Sequence, residues 1–98
     1  MRTIVFCAAL VLAPLLGHAQ DPNAGRNLAA SCAMCHGTDG RATGAFEPLA
    51  GMRADDMVRK LKEFRDDKRP ATVMHQIAKG YTERQMELIA AYFAAQKR

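Results

Sequence analysis

The sequence predicts a small all-α fold of about four helices. Apolar residues recur at helical spacing in the longer segments; Met57, Leu61 and Phe64, for example, fall on one face of a single helix. Residues that commonly start and stop helices separate these segments. No segment alternates convincingly between apolar and polar residues with a period of two, so no strand is predicted.

Residues 1–19 have the layout of a secretory signal peptide. A short basic start precedes an uncharged apolar run, Thr3–Gly17, and small residues occupy the positions before a cleavage site after Ala19. The run is about 15 residues long, shorter than the ~20 that span a bilayer, and Pro14 interrupts it. We therefore expect cleavage, export to the periplasm without a stable membrane anchor, and a single domain formed by residues 20–98.

The first helix of this domain is expected to begin at Asp21, a good N-cap residue that a proline follows, and to run to Cys32. Gly25 inside this helix costs ~1 kcal/mol relative to alanine. Close approach of another helix is a reason for such a glycine, and Tyr92 or Phe93 of the last helix would lie over it.

Two helices are predicted after a glycine-rich loop. The first of them, Asp55–Asp67, ends before Pro70, because proline disfavours helix in the residue that precedes it. The next is short, from Val73 to Lys79, with Thr72 as its cap and Gly80 as its stop.

The last helix begins with a capping box, in which Thr82 and Gln85 each bond the other's backbone N–H, and it runs to about Gln96. The residues predicted to form its inner face are Met86, Ile89, Ala90 and Phe93.

Composition limits what this domain can do. The 98 residues include 14 Lys and Arg against 10 Asp and Glu, mixed along the chain, which lacks the dense basic stripe of a nucleic-acid-binding protein. Tryptophan is absent, and beyond the leader the chain has two cysteines, Cys32 and Cys35, too few for a disulfide framework. A domain this small usually needs a metal or a bound cofactor to complete its core.

The motif SCAMCHG, residues 31–37, has three possible chemistries. A structural zinc site needs four ligands, and the chain after the leader adds only His36 and His75 to its cysteine pair. A disulfide-exchanging pair follows a strand and begins a helix, whereas this pair ends one. The third chemistry is covalent haem attachment, in which the cysteines form thioether bonds and the histidine coordinates the iron.

Covalent haem fits the context best, because the chain is exported, helical and poor in core residues. The sequence therefore predicts one haem c, attached through Cys32 and Cys35, with His36 as an axial iron ligand. The other ring nitrogen of that histidine needs an acceptor. The backbone carbonyl of Pro48, in the loop after the motif, is the candidate.

The second axial ligand is expected to be a methionine, the usual choice where electron transfer is wanted. Position in the motif or in a helix core explains the following methionines without a ligand role: Met34, Met57 and Met86. Met74 lies beyond the second helix, where the chain can return across the distal face, and is the expected ligand. Met52 and His75 remain alternatives.

These residues resemble a family. SCAMCHG, the segment PLAG (residues 48–51) and a methionine near the C-terminal helix resemble a class I cytochrome c. The segment ATVMHQIAKGYTERQMELIAAYFAAQK is similar to the cytochrome c4 group and, within it, to the cytochrome subunits of flavocytochrome c sulfide dehydrogenases. Many members of these groups have two haem domains, whereas this chain has one CxxCH motif. The resemblance implies the class I fold over residues 20–98 and Met74 as the distal ligand.

We therefore expect a carrier of single electrons without catalytic residues of its own. The resemblance implies a sulfide-oxidising flavoprotein as the redox partner, with this chain as its cytochrome subunit. A free soluble carrier to a terminal oxidase or another redox protein is the alternative. A haem sensor or peroxidase would need an open distal position.

Overall fold

The structure, a computed structural model, describes residues 21–98 and, separately, Ala8. The predicted signal peptide, residues 1–19, lies outside the described residues apart from Ala8. Residues 21–98 form helices and loops and contain no strand, so the predicted all-α class is confirmed. No helix in this part of the chain is long and apolar enough to cross a membrane.

Four helical segments follow one another along residues 21–98, as predicted. Two 3₁₀ turns flank the second α-helix: Ala30–Cys32 lies before it and Thr38–Gly40 after it. Because the first of these turns joins two α-helices, the first segment continues unbroken from Ala24 to His36. The α-helices are α1 (Ala24–Ala29), α2 (Ala33–His36), α3 (Ala54–Arg65), α4 (Met74–Lys79) and α5 (Glu83–Ala94).

The predicted start of the first helix is wrong, whereas that of the last helix is right. Helix α1 begins at Ala24, its capping residue Asn23 makes no side-chain cap hydrogen bond, and the Asp21 carboxylate accepts the Asn23 N–H at 2.8 Å in the turn before the helix. The capping box of α5 is confirmed, since Gln85 N–H donates to Thr82 Oγ1 at 3.1 Å and Thr82 N–H donates to Gln85 Oε1 at 2.9 Å.

Two further boundaries differ from prediction. Thr72 does not cap α4; the helix begins at Met74, and Val73 in the capping position makes no side-chain hydrogen bond. Helix α3 ends at Arg65, so the proline is not what ends it. The helix ends because Asp67 adopts a left-handed conformation with φ of 56°. The next N–H, of Lys68, then donates back to the Glu63 carbonyl at 2.8 Å and closes the helix end.

Helix α5 forms the centre of the core. Its predicted inner face is buried, with Met86, Ile89, Ala90 and Phe93 each at most 2% exposed. Ala29 of α1 and Met57 and Leu61 of α3 complete the buried cluster. Phe64, predicted to share the inner face of α3, is half-buried because it lies beside an open cleft.

Helices α1 and α5 cross at Gly25, as its place in the first helix suggested. A Cβ added there would lie 2.6 Å from the Leu88 carbonyl oxygen and 3.4 Å from the Tyr92 Cβ. We therefore expect Gly25→Ala to destabilise the holoprotein by about 1–3 kcal/mol, against the ~1 kcal/mol gain that alanine gives in an open helix. Denaturant unfolding measures this difference.

Asn27→Ala is the matched control, because Asn27 is exposed on the same helix. Its free energy of unfolding should change by at most about 0.5 kcal/mol. A stabilised Gly25→Ala variant would contradict the tight crossing.

The loop after α2 is fastened to the core at its far end. The Gly40 carbonyl accepts the N–H groups of Leu49 and Ala50 at 2.8 and 3.1 Å, and Gly51 N–H donates to the Phe93 carbonyl at 2.9 Å. Gly40 has a φ of 77°, and a Cβ there would lie 2.8 Å from both Ala50 N and Phe93 Cδ1. These contacts hold the end of the loop against α5. The loop residues that come before them then lie next to His36.

Candidate haem-binding site

His36, the last residue of α2, is oriented by a backbone carbonyl. Its Nδ1 lies 2.6 Å from the Glu47 carbonyl oxygen. Because a carbonyl can only accept, Nδ1 carries the hydrogen, and the lone pair of Nε2 is left for a metal. The acceptor is thus the Glu47 carbonyl, and not the Pro48 carbonyl that the sequence predicted. Pro48 affects the acceptor indirectly. Proline restricts the residue before it to extended conformations and so limits where the Glu47 carbonyl points.

An apolar cleft opens beside His36, between α3, α4, α5 and the loop. Its empty space, including the open mouth, is about 590 Å³. The residues that line the cleft are Cys32, His36, Glu47, Leu49, Met52, Met57, Lys60, Leu61, Phe64, Met74, Ile77, Ile89 and Phe93.

The residues that line the cleft distinguish among the candidate axial ligands. Met74, at the start of α4, and Met52, in the loop, both line it and are both half-buried. His75 is not among the lining residues, although it follows Met74 directly. Met34 is 91% exposed, and Met86 is fully buried in the core. Met57 also lines the cleft, but it is buried in the core cluster. The arrangement therefore favours a methionine over His75 and keeps the half-buried Met74 and Met52 as the two candidates.

The two cysteines of the motif differ in their surroundings. Cys32 is half-buried and lines the cleft, whereas Cys35 is exposed and is not among the lining residues. Burial raises the pKa of the Cys32 thiol, whereas cysteines that exchange disulfides have depressed pKa values. Within residues 21–98, no three His, Cys, Asp or Glu side chains group so that they could hold a metal ion. An apolar cleft lined by Cys32 and by a preoriented histidine fits covalent haem.

Sequence reasoning missed three contributors to this site. The Phe46 ring lies 6.2 Å from the His36 ring at an interplanar angle of 67°. Glu47 supplies the carbonyl, and Lys60 of α3 lines the cleft and reaches the Glu47 carboxylate. The proline after Glu47 was the available signal, since it constrains the residue before it.

A side-chain hydrogen bond joins the turn after the motif to α5. The Tyr92 hydroxyl donates to the carboxylate of Asp39, a residue of the second 3₁₀ turn. This bond, together with burial, raises the pKa of Tyr92 above 10.0. A raised folded-state pKa means that the stabilisation is complete below the pKa of the unfolded chain and is lost as the pH rises through the folded value.

We expect Tyr92→Phe to lower the free energy of unfolding by about 1 kcal/mol at neutral pH, where the tyrosine is un-ionised and the hydrogen bond is intact. Above about pH 10 the wild type should lose this advantage and approach the variant. Urea unfolding of both holoproteins at several pH values measures the difference. A gap that widens with alkaline pH would contradict the assigned bond.

The fold and the site define a class: a small helical domain in which a CxxCH motif borders an apolar cleft suited to haem. The family model described as Cytochrome c matches residues 22–97, and the chain belongs to the cytochrome c family. It therefore carries covalently bound haem c with its iron, and its fold is that of a small class I cytochrome c. Both predictions are confirmed.

Curated relatives include three bacterial cytochromes. Cytochrome c-552 of Acidithiobacillus ferridurans is 42% identical over 66% of this chain and 28% of its own length. The cytochrome subunit of sulfide dehydrogenase of Chlorobaculum tepidum is 41% identical over 70% of this chain and 63% of its own length. Cytochrome c4 of Pseudomonas aeruginosa is 36% identical over 84% of this chain and 42% of its own length. The chain thus spans less than two thirds of the length of each of these relatives. The presence of cytochrome c4 among them confirms the resemblance to the c4 group.

Proposed function

We propose that this protein is a periplasmic cytochrome that carries single electrons through a haem attached to Cys32 and Cys35 and ligated by His36 and Met74. The observation that supports it most strongly is the 2.6 Å contact between His36 Nδ1 and the Glu47 carbonyl oxygen. An imidazole held in this way presents Nε2 as a ligand and has its basicity raised by the second hydrogen bond.

Met74 is proposed over Met52 because of the element that carries it. Met52 belongs to the loop that also supplies the carbonyl to His36, and it borders a second cleft lined by Pro48, Ala50 and Arg53. Met74 comes from α4, a separate element that lines the same cleft as His36. A ligand from α4 would therefore not depend on the loop that orients His36.

The bound haem supplies one-electron exchange between ferrous and ferric iron. The chain's own residues orient the histidine, provide a soft sulfur ligand that raises the reduction potential, and surround the site with apolar side chains. If His36 and Met74 both ligate the iron, no iron position would remain for a substrate or gas molecule. This supports a carrier over a sensor or peroxidase.

Carbon monoxide tests this proposal, because it binds ferrous haem only at an open or easily displaced position. The reduced holoprotein should keep its absorption spectrum under the gas, and potentiometric titration should fit a single one-electron step. Rapid formation of a carbon monoxide complex would contradict stable Met74 ligation and would favour the sensor or peroxidase.

The redox partner is proposed to be a sulfide-oxidising flavoprotein that this chain serves as the cytochrome subunit. The similarity to the sulfide dehydrogenase subunit of Chlorobaculum tepidum supports this. The names of the two other relatives, cytochrome c-552 and cytochrome c4, specify no partner enzyme, and a free carrier is the second candidate.

Haem reduction distinguishes the two candidates. Sulfide and the candidate flavoprotein together should reduce the cytochrome much faster than sulfide alone, and the two proteins should co-elute from a sizing column. Reduction no faster than the flavoprotein-free rate would contradict the subunit role and leave the free carrier.

A further inference from the structure

We propose that Lys60 is a positioning residue for the axial histidine and that it acts through Glu47. The proposal rests on the proposed function, because it takes His36 as an iron ligand. It assigns a role to an ion pair that lies beside the cleft and that no helix end or core contact requires.

The contacts form a short chain from α3 to the histidine ring. Lys60 Nζ lies 2.9 Å from Glu47 Oε1, and the carbonyl oxygen of the same glutamate lies 2.6 Å from His36 Nδ1. Glu47 therefore uses its side chain to contact α3 and its backbone to contact the histidine.

Lys60 is suited to serve as the fixed end of this chain. It lies in the middle of α3, next to the buried Leu61, and its side chain is 25% exposed because the aliphatic stem lines the cleft. The Glu47 side chain is 59% exposed and belongs to a loop. The helix therefore restrains the glutamate, and not the reverse.

The loop before Glu47 has few other restraints. In the described part of the chain, residues 42–46 make no hydrogen bond or ion pair, and a Cβ on Gly44 would have no atom within 4 Å. The next backbone bonds are those of Leu49 and Ala50 to Gly40. Among the described residues, the ion pair with Lys60 is the only polar contact of the Glu47 side chain.

Loss of the ion pair should let the Glu47 carbonyl move and weaken the His36 hydrogen bond. A weaker bond makes the imidazole less basic, which destabilises ferric iron and raises the reduction potential. The pair's charges also act on the iron directly. Removing the lysine lowers the potential, and removing the carboxylate raises it.

Exchange of the His36 Nδ1 proton separates positioning from charge. In the holoprotein, Lys60→Met and Glu47→Gln should each speed this exchange, followed by NMR of the haem-shifted ring proton, about two- to fivefold, the range open to an exposed ion pair. The double variant should be no faster than either single variant, because one interaction is lost in all three. Its potential should exceed that of the wild type, since the direct charge effects cancel.

Lys60→Arg should restore the wild-type rate, because it keeps a cation in reach of the carboxylate. Lys62→Met is the matched control: it removes the same charge from α3, but Lys62 pairs with Glu83 at 3.6 Å and not with the loop. Wild-type exchange rates in both single variants, or acceleration in Lys62→Met equal to that in Lys60→Met, would overturn the positioning role. A wild-type spectrum without a haem-shifted histidine would instead overturn the proposed function, and this proposal with it.

Discussion

Without its haem, the domain is expected to lose its cooperative fold. A Cys32→Ser/Cys35→Ser variant produced without haem should show weak helical circular dichroism and no cooperative thermal transition. A core of this size rarely supplies more than about 3–5 kcal/mol. The cleft exposes apolar side chains that the cofactor would cover, and each is worth about 1.5–3 kcal/mol when fully buried. They are Leu49, Met52, Phe64, Met74 and Ile77.

The holoprotein provides the comparison and should unfold in one cooperative step. The wild-type chain prepared without haem is the matched control, because it keeps both thiols and should behave like the double variant. A cooperative transition in either haem-free protein would show that the buried cluster around Met86 and Phe93 suffices alone.

Local chemistry explains which parts of the fold the sequence predicted well. The capping box of Thr82 and Gln85 needs only residues three apart, and the inner face of α5 follows from helical period. The failures were non-local or conformational. Thr72 has the right chemistry for a cap, yet α4 begins at Met74, and the left-handed turn at Asp67 ends α3 before any proline signal.

The candidate site likewise has a part that the sequence predicted and a part that it did not. The CxxCH spacing fixes Cys32 and His36 relative to each other, so their place on one cleft could be predicted. The carbonyl that contacts His36 could not be assigned to Glu47, because every residue has a carbonyl and its direction depends on loop dihedral angles. The reach of Lys60 to that loop depends on how α3 packs, which no short-range pattern encodes.

Replacing Met74 is expected to have the largest effect on redox behaviour. Met74→Ala should abolish the methionine-to-iron charge-transfer band of the oxidised protein. The reduction potential should fall by a sizeable fraction of the ~0.8 V range over which axial ligands set haem potentials, because the thioether stabilises ferrous iron relative to nitrogen or oxygen ligands. Absorption spectroscopy and potentiometric titration of the holoprotein measure the two effects.

Met52→Ala is the matched control, since Met52 has the same side chain, is also half-buried and lines the same cleft. It should keep the charge-transfer band and most of the potential, because the loss is one of packing and not of ligation. The reverse pattern would assign the iron to Met52 and place the ligand on the loop that orients His36. A band that survives both substitutions would exclude both methionines and point to Met57, the third methionine that lines the cleft.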